Sequence, residues 1–175
     1  MSLKNHIIFS GQMWTSYSQM YIESGEYTGG LATQDAFRGQ TNGLFGGAVS
    51  GGAFLRTGVE TGDLCIKVEL HDVAPPVDES WEEIVEASFS VNPPPIFLLG
   101  WDGTSNFKLP LSQGEYRARF CAKGYGQSEA LSIFGDSSIE NYCLILWRES
   151  RRPDTVIKET SDLARSNHQW ARTIT

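Results

Sequence analysis

Four side chains in this sequence, Cys65, His71, Cys121 and Cys143, could serve as soft or imidazole ligands to a metal ion. Two ligands reach one metal most readily from a Cys-x-x-Cys or His-x-x-x-His spacing, and none of the four stands in one. The thiols therefore read as ordinary buried or half-buried cysteines. No metal and no cofactor are expected. The same residues could support hydrolysis, with Cys121 or a serine as nucleophile and His71 or His168 as base. A nucleophile needs its base within hydrogen-bond reach, and no Gly-x-Ser-x-Gly elbow is present to present a serine. His71 is expected on the outward side of its strand beside Asp72, exposed to solvent. No catalytic residue is assigned, and the chain is expected not to be an enzyme; an uncharacterised hydrolase using His71 or clustered acids remains an alternative.

Carboxylates cluster at Asp78 with Glu79 and at Glu82, Glu83 and Glu86. A glycosidase needs two such groups facing each other across a cleft, one of them in an apolar pocket that raises its pKa. Adjacency in sequence supplies neither condition, so these acids are expected to form a solvated surface. Glu86 is expected to pair across strands with Arg117 or Arg119. Aromatic side chains, Trp14, Tyr17, Tyr21, Trp81, Trp101, Tyr125 and Trp147, are numerous enough for a sugar-stacking platform. Most suit a core better. Trp101 and Asp102, in a turn with Gly103, are the residues of an alternative carbohydrate- or small-ligand site.

These groups need elements to hold them. In Leu64 to His71, the residues Leu64, Ile66, Val68 and Leu70 point one way and Cys65, Lys67, Glu69 and His71 the other, which is the period of a half-buried strand. Val85, Ala87, Phe89 and Val91 repeat the pattern, as do Tyr116, Ala118, Phe120 and Ala122 opposite Arg117 and Arg119. The run from Tyr142 to Trp147 is apolar on both faces and predicts a central strand. Shorter strands are expected at His6–Phe9, ending at Gly11, at Tyr17–Ile22 and at Ile96–Leu99. Gly43, Gly46, Gly47, Gly51 and Gly52 fit turns and strand crossings, since they form no Walker or dinucleotide pattern. Pro75-Pro76 and Pro93-Pro94-Pro95 interrupt the ladder. Strands recurring about every 8–12 residues between turn signals indicate a sandwich or barrel. After Trp147 the texture changes: Val156-Ile157 suits an edge strand, and Ser161-Asp162 a cap for a short helix through Trp170, with Leu163 and Trp170 on its docking face.

The chain has 175 residues and a formal net charge of -7, with a mean hydropathy of -0.27. The charge is uneven. Glu60, Asp63, Glu69, Asp72, Asp78, Glu79, Glu82, Glu83 and Glu86 face Lys67 alone, whereas Arg148, Arg151, Arg152, Lys158, Arg165 and Arg172 weight the end toward positive charge. Nucleic acid demands a basic footprint and is a poor partner for the main body; a basic protein suits it better. No apolar run approaches the roughly 18 residues of a membrane span, so no membrane association is expected. Three cysteines without a close pair, together with the lack of a secretory signal, point to the cytoplasm. Met1-Ser2-Leu3 could be an expression leader.

The blocks Trp81 to Ser88, Leu109 to Arg119 and Tyr142 to Trp147 resemble a bacterial family of uncharacterised proteins with W-x-x-V-V-E-x-S, P-G-x-Y-R-x-R and L-W-P blocks. Gln113 stands where that family has proline before glycine, and Arg148 where proline follows the tryptophan. Ser16-Tyr17-Ser18-Gln19-Met20 and Leu109 to Tyr116 are similar to the Ser-Tyr-x-Gln-Phe start and Leu-Pro-x-Gly-x-Tyr turn of the competence protein J family, inhibitors of a secreted nuclease. That resemblance implies an intracellular protein that masks a basic nuclease or toxin.

The expected architecture is an all-β antiparallel sandwich over residues 1–150, with a C-terminal extension over 151–175 packed on it or trailing from it. The expected function is a protein-binding module of inhibitor or immunity type. Glu69, Asp72, Asp78, Glu79, Glu82 and Glu83 are the candidate contact residues, because charge complementarity steers association.

Overall fold

A computed structural model describes residues 6–25, 27–127 and 140–175; Met1-Ser2-Leu3 lie outside them. In chain order the elements are β1 (His6–Thr15), β2 (Gln19–Ser24), α1 (Thr33–Ala36), β3 (Phe45–Gly46), β4 (Gly52–Arg56), β5 (Gly62–His71), β6 (Glu83–Val91), β7 (Ile96–Gly100), β8 (Asn106–Leu109), β9 (Gly114–Lys123), β10 (Asn141–Arg148), β11 (Thr155–Lys158) and α2 (Asp162–Ala171). They form a six-stranded sheet, β1-β5-β10-β9-β6-β11, and a five-stranded sheet, β3-β4-β2-β7-β8. The fold is an all-β sandwich. Ladders are antiparallel except between β5 and β10, which run parallel. A parallel neighbour requires a long crossover. Here the chain leaves β5, crosses the sheet's outer face to β6 at the far side, and fills the gap later with β9 and β10.

Alternation places the core as expected. Leu64, Ile66 and Val68 of β5, Val85, Ala87, Phe89 and Val91 of β6, and Tyr116, Ala118, Phe120 and Ala122 of β9 meet Met20, Ile22, Leu55, Ile96 and Leu98 of the opposing sheet. Phe120 stacks on Tyr142 of β10 at 5.4 Å between ring centroids. Each buried large side chain contributes roughly 1.5–3 kcal/mol. β10 is central and buried on both faces, as its unbroken apolar run requires.

Several boundaries differ from the sequence reading. β1 does not stop at Gly11 but runs on to Thr15, because Gly11 pairs with Ile66 and the Phe9 ring lies over its bare backbone. Tyr17 begins no strand. Tyr17 and Ser18 have φ of 55° and 57° and form the two-residue turn between β1 and β2, closed by Gln19 N–H donating to the Ser16 carbonyl at 3.1 Å. The turn lacks the usual Asn-Gly, and tertiary bonds hold it instead: Ser18 N–H donates to the Glu60 carbonyl at 2.9 Å, and Thr57 N–H to the Ser18 carbonyl at 3.1 Å. α1, β3, β4 and β8 have no signal in the sequence, being two to five residues long and, for the first three, set in or beside the glycine-rich stretch.

The final segment is fastened to the body. β11 pairs with β6, Thr155 opposite Glu86. Ser161 caps α2 by accepting from Ala164 N–H at 3.1 Å. Asp154 accepts from Thr41 N–H at 2.8 Å and Asn42 N–H at 2.6 Å. Leu163 packs against the main core, whereas Trp170 joins Tyr21, Phe37 and Phe54 on the outer face of the five-stranded sheet.

Candidate protein-binding surface

The chemistry-bearing residues lie mainly on the outer face of the six-stranded sheet. Cys121 and Cys143, far apart in sequence, stand directly opposite each other on β9 and β10. Burial pushes the Cys143 thiol up to about 12 and Cys121 higher still, so both are protonated and inert. Cys65 is half-buried on β5. Among the described residues, no group of three or more His, Cys, Asp and Glu side chains is arranged to hold a metal ion.

His71 is not solvent-exposed: its side chain is 10% exposed, and Nε2 lies 2.8 Å from Glu69 Oε2. Lys67 Nζ takes the other Glu69 oxygen at 2.7 Å. Burial opposes the Glu69 charge, but the bonds from Lys67 and His71 outweigh it and hold the carboxyl below its ordinary range. The acidic stretch is thus not one solvated face. Glu69 is 7% and Glu86 6% exposed, because crossing loops cover strand positions that alternation alone assigns to the outside, while Glu83, on the inward side with Val85 and Ala87 at the start of β6, is 0% exposed.

Glu86 pairs with both expected arginines. Its Oε1 lies 2.8 Å from Arg119 Nη2 and its Oε2 3.4 Å from Arg117 Nε, while Arg152 approaches Oε2 at 3.3 Å. Glu83 accepts from Thr160 N–H at 3.1 Å, Thr160 O–H at 2.8 Å and Ser161 N–H at 2.7 Å, which anchors the approach to α2. With those bonds made in the interior, Glu83 faces no solvent.

Asp72, Asp78 and Glu79 are exposed, and Glu82 is half-buried with its carboxylate accepting from Gly124 N–H at 2.7 Å. All four belong to the crossover from β5 to β6, which also exposes Val73 (51%) and Val77 (37%). The loop is fixed from beneath and from its rim. Arg119 Nη1 donates to the carbonyls of Pro75 at 2.8 Å and Pro76 at 3.1 Å, and Lys158 Nζ to that of Glu79 at 2.8 Å. Side-chain and backbone bonds from Ser80, aided by Lys123 and Lys67, keep the Asp78 carboxyl below its usual range. These lysines reduce the local excess of negative charge below what the linear sequence implies.

At the other end of β5, the turn after β7 carries Trp101, 37% exposed, whose ring packs on Tyr17 at 4.7 Å between centroids. Asp102 accepts from Thr104 N–H at 3.0 Å and Thr104 O–H at 2.8 Å, which fixes the turn. A groove of ≈ 540 Å³ opens beside it, lined by Tyr27, Pro95, Phe97, Leu99, Gly103 and Asn106. The Tyr27 hydroxyl donates to the Trp101 carbonyl. Its ring lies over Gly103, where φ is 74° and a Cβ would meet the ring at 2.8 Å, so only glycine suits both conditions. Sequence reasoning found Trp101 and missed the groove, which is assembled from three separate segments.

No family model matches the sequence, and no curated protein matches it significantly. Two solved structures are similar in fold. ComJ from Bacillus subtilis, an inhibitor of the DNA-degrading activity of NucA, superposes with a TM-score of 0.54 at 16% identity, covering 83% of this chain and 98% of that one. A protein described as crocagin biosynthetic gene J superposes with a TM-score of 0.51 at 13% identity, covering 86% of this chain and 100% of its own. Among the described residues no helix is long and apolar enough to cross a membrane.

Proposed function

We propose that this chain is a non-enzymatic, cytoplasmic protein-binding module that masks a basic nuclease or toxin. The observation carrying this reading is the Asp72–Glu82 crossover, which is held by Arg119 and Lys158 yet exposes Asp72, Asp78 and Glu79 beside Val73 and Val77. A fixed loop loses little entropy on binding, and acids mixed with apolar side chains can both steer and hold a cationic surface. ComJ shares the sandwich and inhibits a nuclease, which supports a protein partner as the class to seek. Glu69 and Glu83 contribute from within by fixing β5 and α2, so the contact set narrows to Asp72, Asp78, Glu79 and Glu82. Nucleic acid stays a poor partner for such a surface. The test is binding to a purified basic nuclease by wild type and by the D72K/D78K/E79K variant.

A ligand-binding module is the second reading, favoured by Trp101 lying exposed beside the groove. It predicts that neutral sugars perturb Trp101 fluorescence and that W101A abolishes the response.

A further inference from the structure

The outer face of the five-stranded sheet holds a carboxylate unlike the others. Buried acids elsewhere in this protein are well supplied with donors: Glu86 faces three guanidinium groups, and Glu83 takes the amides before α2. Glu23, on β2 directly opposite Phe97 of β7, is 5% exposed, and neither of its oxygens has a hydrogen-bond partner among the described residues. Phe97 and Gly25, the latter two residues beyond Glu23 on the chain, both line the groove. Tyr27, the groove's wall, lies within the field of Glu23 and of Asp102; burial first, then those two carboxylates, raises its phenol pKa. The cation nearest in the strand register, Lys108, sits opposite Phe97 on β8. That is two strands, about 9–10 Å, from Glu23, and no ion pair forms between them.

A charged carboxylate without donors is unfavourable in such surroundings. Burial accordingly raises the Glu23 pKa, and the Thr28 backbone amide, nearby but outside hydrogen-bond geometry, offsets this only in part. A ligand bringing its own strong donor and positive charge would relieve this, and aromatic walls attract cations through their ring faces.

We infer that the groove receives an arginine or lysine side chain of the protein partner, with Glu23 as its counter-ion and Tyr27 and Phe97 as its walls. This rests on the reading of the chain as a binder of a basic protein, and it locates a second contact, on the sheet opposite the crossover. A charged head on a long, thin stem suits a counter-ion that neighbours Phe97 without itself lining the groove. Exposed Trp101, whose carbonyl Tyr27 bonds, and Tyr17 packed on it are of the types that dominate binding energy at protein interfaces.

The experiment is an NMR titration of the full chain with acetyl-Gly-Arg-Gly-amide, its lysine counterpart and a norleucine control. Saturable shifts of the Tyr27 and Phe97 amides are expected with the cationic peptides, with norleucine at least about tenfold weaker. E23Q should weaken the arginine peptide by about the same factor, while E23L should melt no lower than wild type, since it removes an unpaired charge. Equal binding of the arginine and norleucine peptides, an unchanged E23Q, or no saturable shift at millimolar peptide would each overturn the assignment. The D72K/D78K/E79K variant leaves this groove intact and should titrate as wild type. If that variant loses a purified basic partner while E23Q retains it, the crossover reading stands and the groove assignment fails.

Discussion

Arg119 donates to the Pro75 carbonyl at 2.8 Å while its Nη2 lies 2.8 Å from Glu86, so one guanidinium fastens the acidic crossover to the sheet beneath it. The loop's order and the buried ion pair depend on the same side chain.

Replacing Arg119 by methionine should therefore have two separable effects. It leaves Glu86 with a poorer set of partners, and breaking a buried pair costs about 3 kcal/mol. It also frees residues 73–77. Urea unfolding should show the loss of stability, and native-state hydrogen exchange should show faster exchange in the loop. R119K keeps the charge but not the planar fork, and should fall between the two. Unchanged exchange in R119M would mean that the loop is held by something else.

Glu83 is expected to behave as a structural carboxylate. E83A removes the acceptor for Thr160 and Ser161 amides and should cost about 2–3 kcal/mol, the usual scale for hydrogen bonds to a charged group. Exchange should quicken through α2 while β5 and β10 stay protected. A neutral effect on stability would remove Glu83 from this role.

His168 gives a pH dependence of defined sign. It is fully buried on α2, and its Nδ1 accepts from Gly43 N–H at 2.9 Å, which only the neutral ring can do. Burial lowers its pKa; Glu159, Glu83 and Asp154 raise it, and Arg172 adds to the lowering. A folded pKa below the unfolded value of about 6.5 means that the unfolded chain binds more protons between the two. The stabilisation is complete above about pH 6.5 and is lost as pH falls through the folded value. Urea midpoints measured from pH 7.5 downward should fall in that window, and H168N should flatten the slope there.

Thiol chemistry should follow burial. With iodoacetamide at pH 8, Cys65 is expected to react in the native protein, and Cys121 and Cys143 only after unfolding. Mass spectrometry of the labelled peptides distinguishes them; labelling of Cys121 as fast as Cys65 would show that this face opens readily.

The inner faces were legible from sequence because alternation such as Leu64-Ile66-Val68 states which side is apolar. The outer faces were not. Alternation places Glu69 and Glu86 outside the core, but the covering of that outside depends on the 72–82 crossover and on the 149–154 segment leading to β11; Glu83 falls on the inward side with Val85, where the segment before α2 supplies its partners. The opposition of Cys121 and Cys143 depends on strand register, which spacing in sequence does not encode. The aromatic neighbours of Tyr17 suit a strand, yet hydrogen bonds to Glu60 and Thr57 hold the adjoining Ser18 in a left-handed turn. Glu23 carries no signal in the sequence, because an acid after Tyr21 and Ile22 has the pattern of an ordinary outward strand residue.

The most direct test measures affinity and association rate for a purified basic nuclease, across a series of salt concentrations, for wild type and D72K/D78K/E79K. Wild type should bind, with an association rate that falls as salt screens the exposed acids. The triple variant should bind at least about tenfold more weakly at low salt and show a flatter salt dependence. Equal affinity and equal salt dependence of the two proteins would contradict a binding role for the crossover.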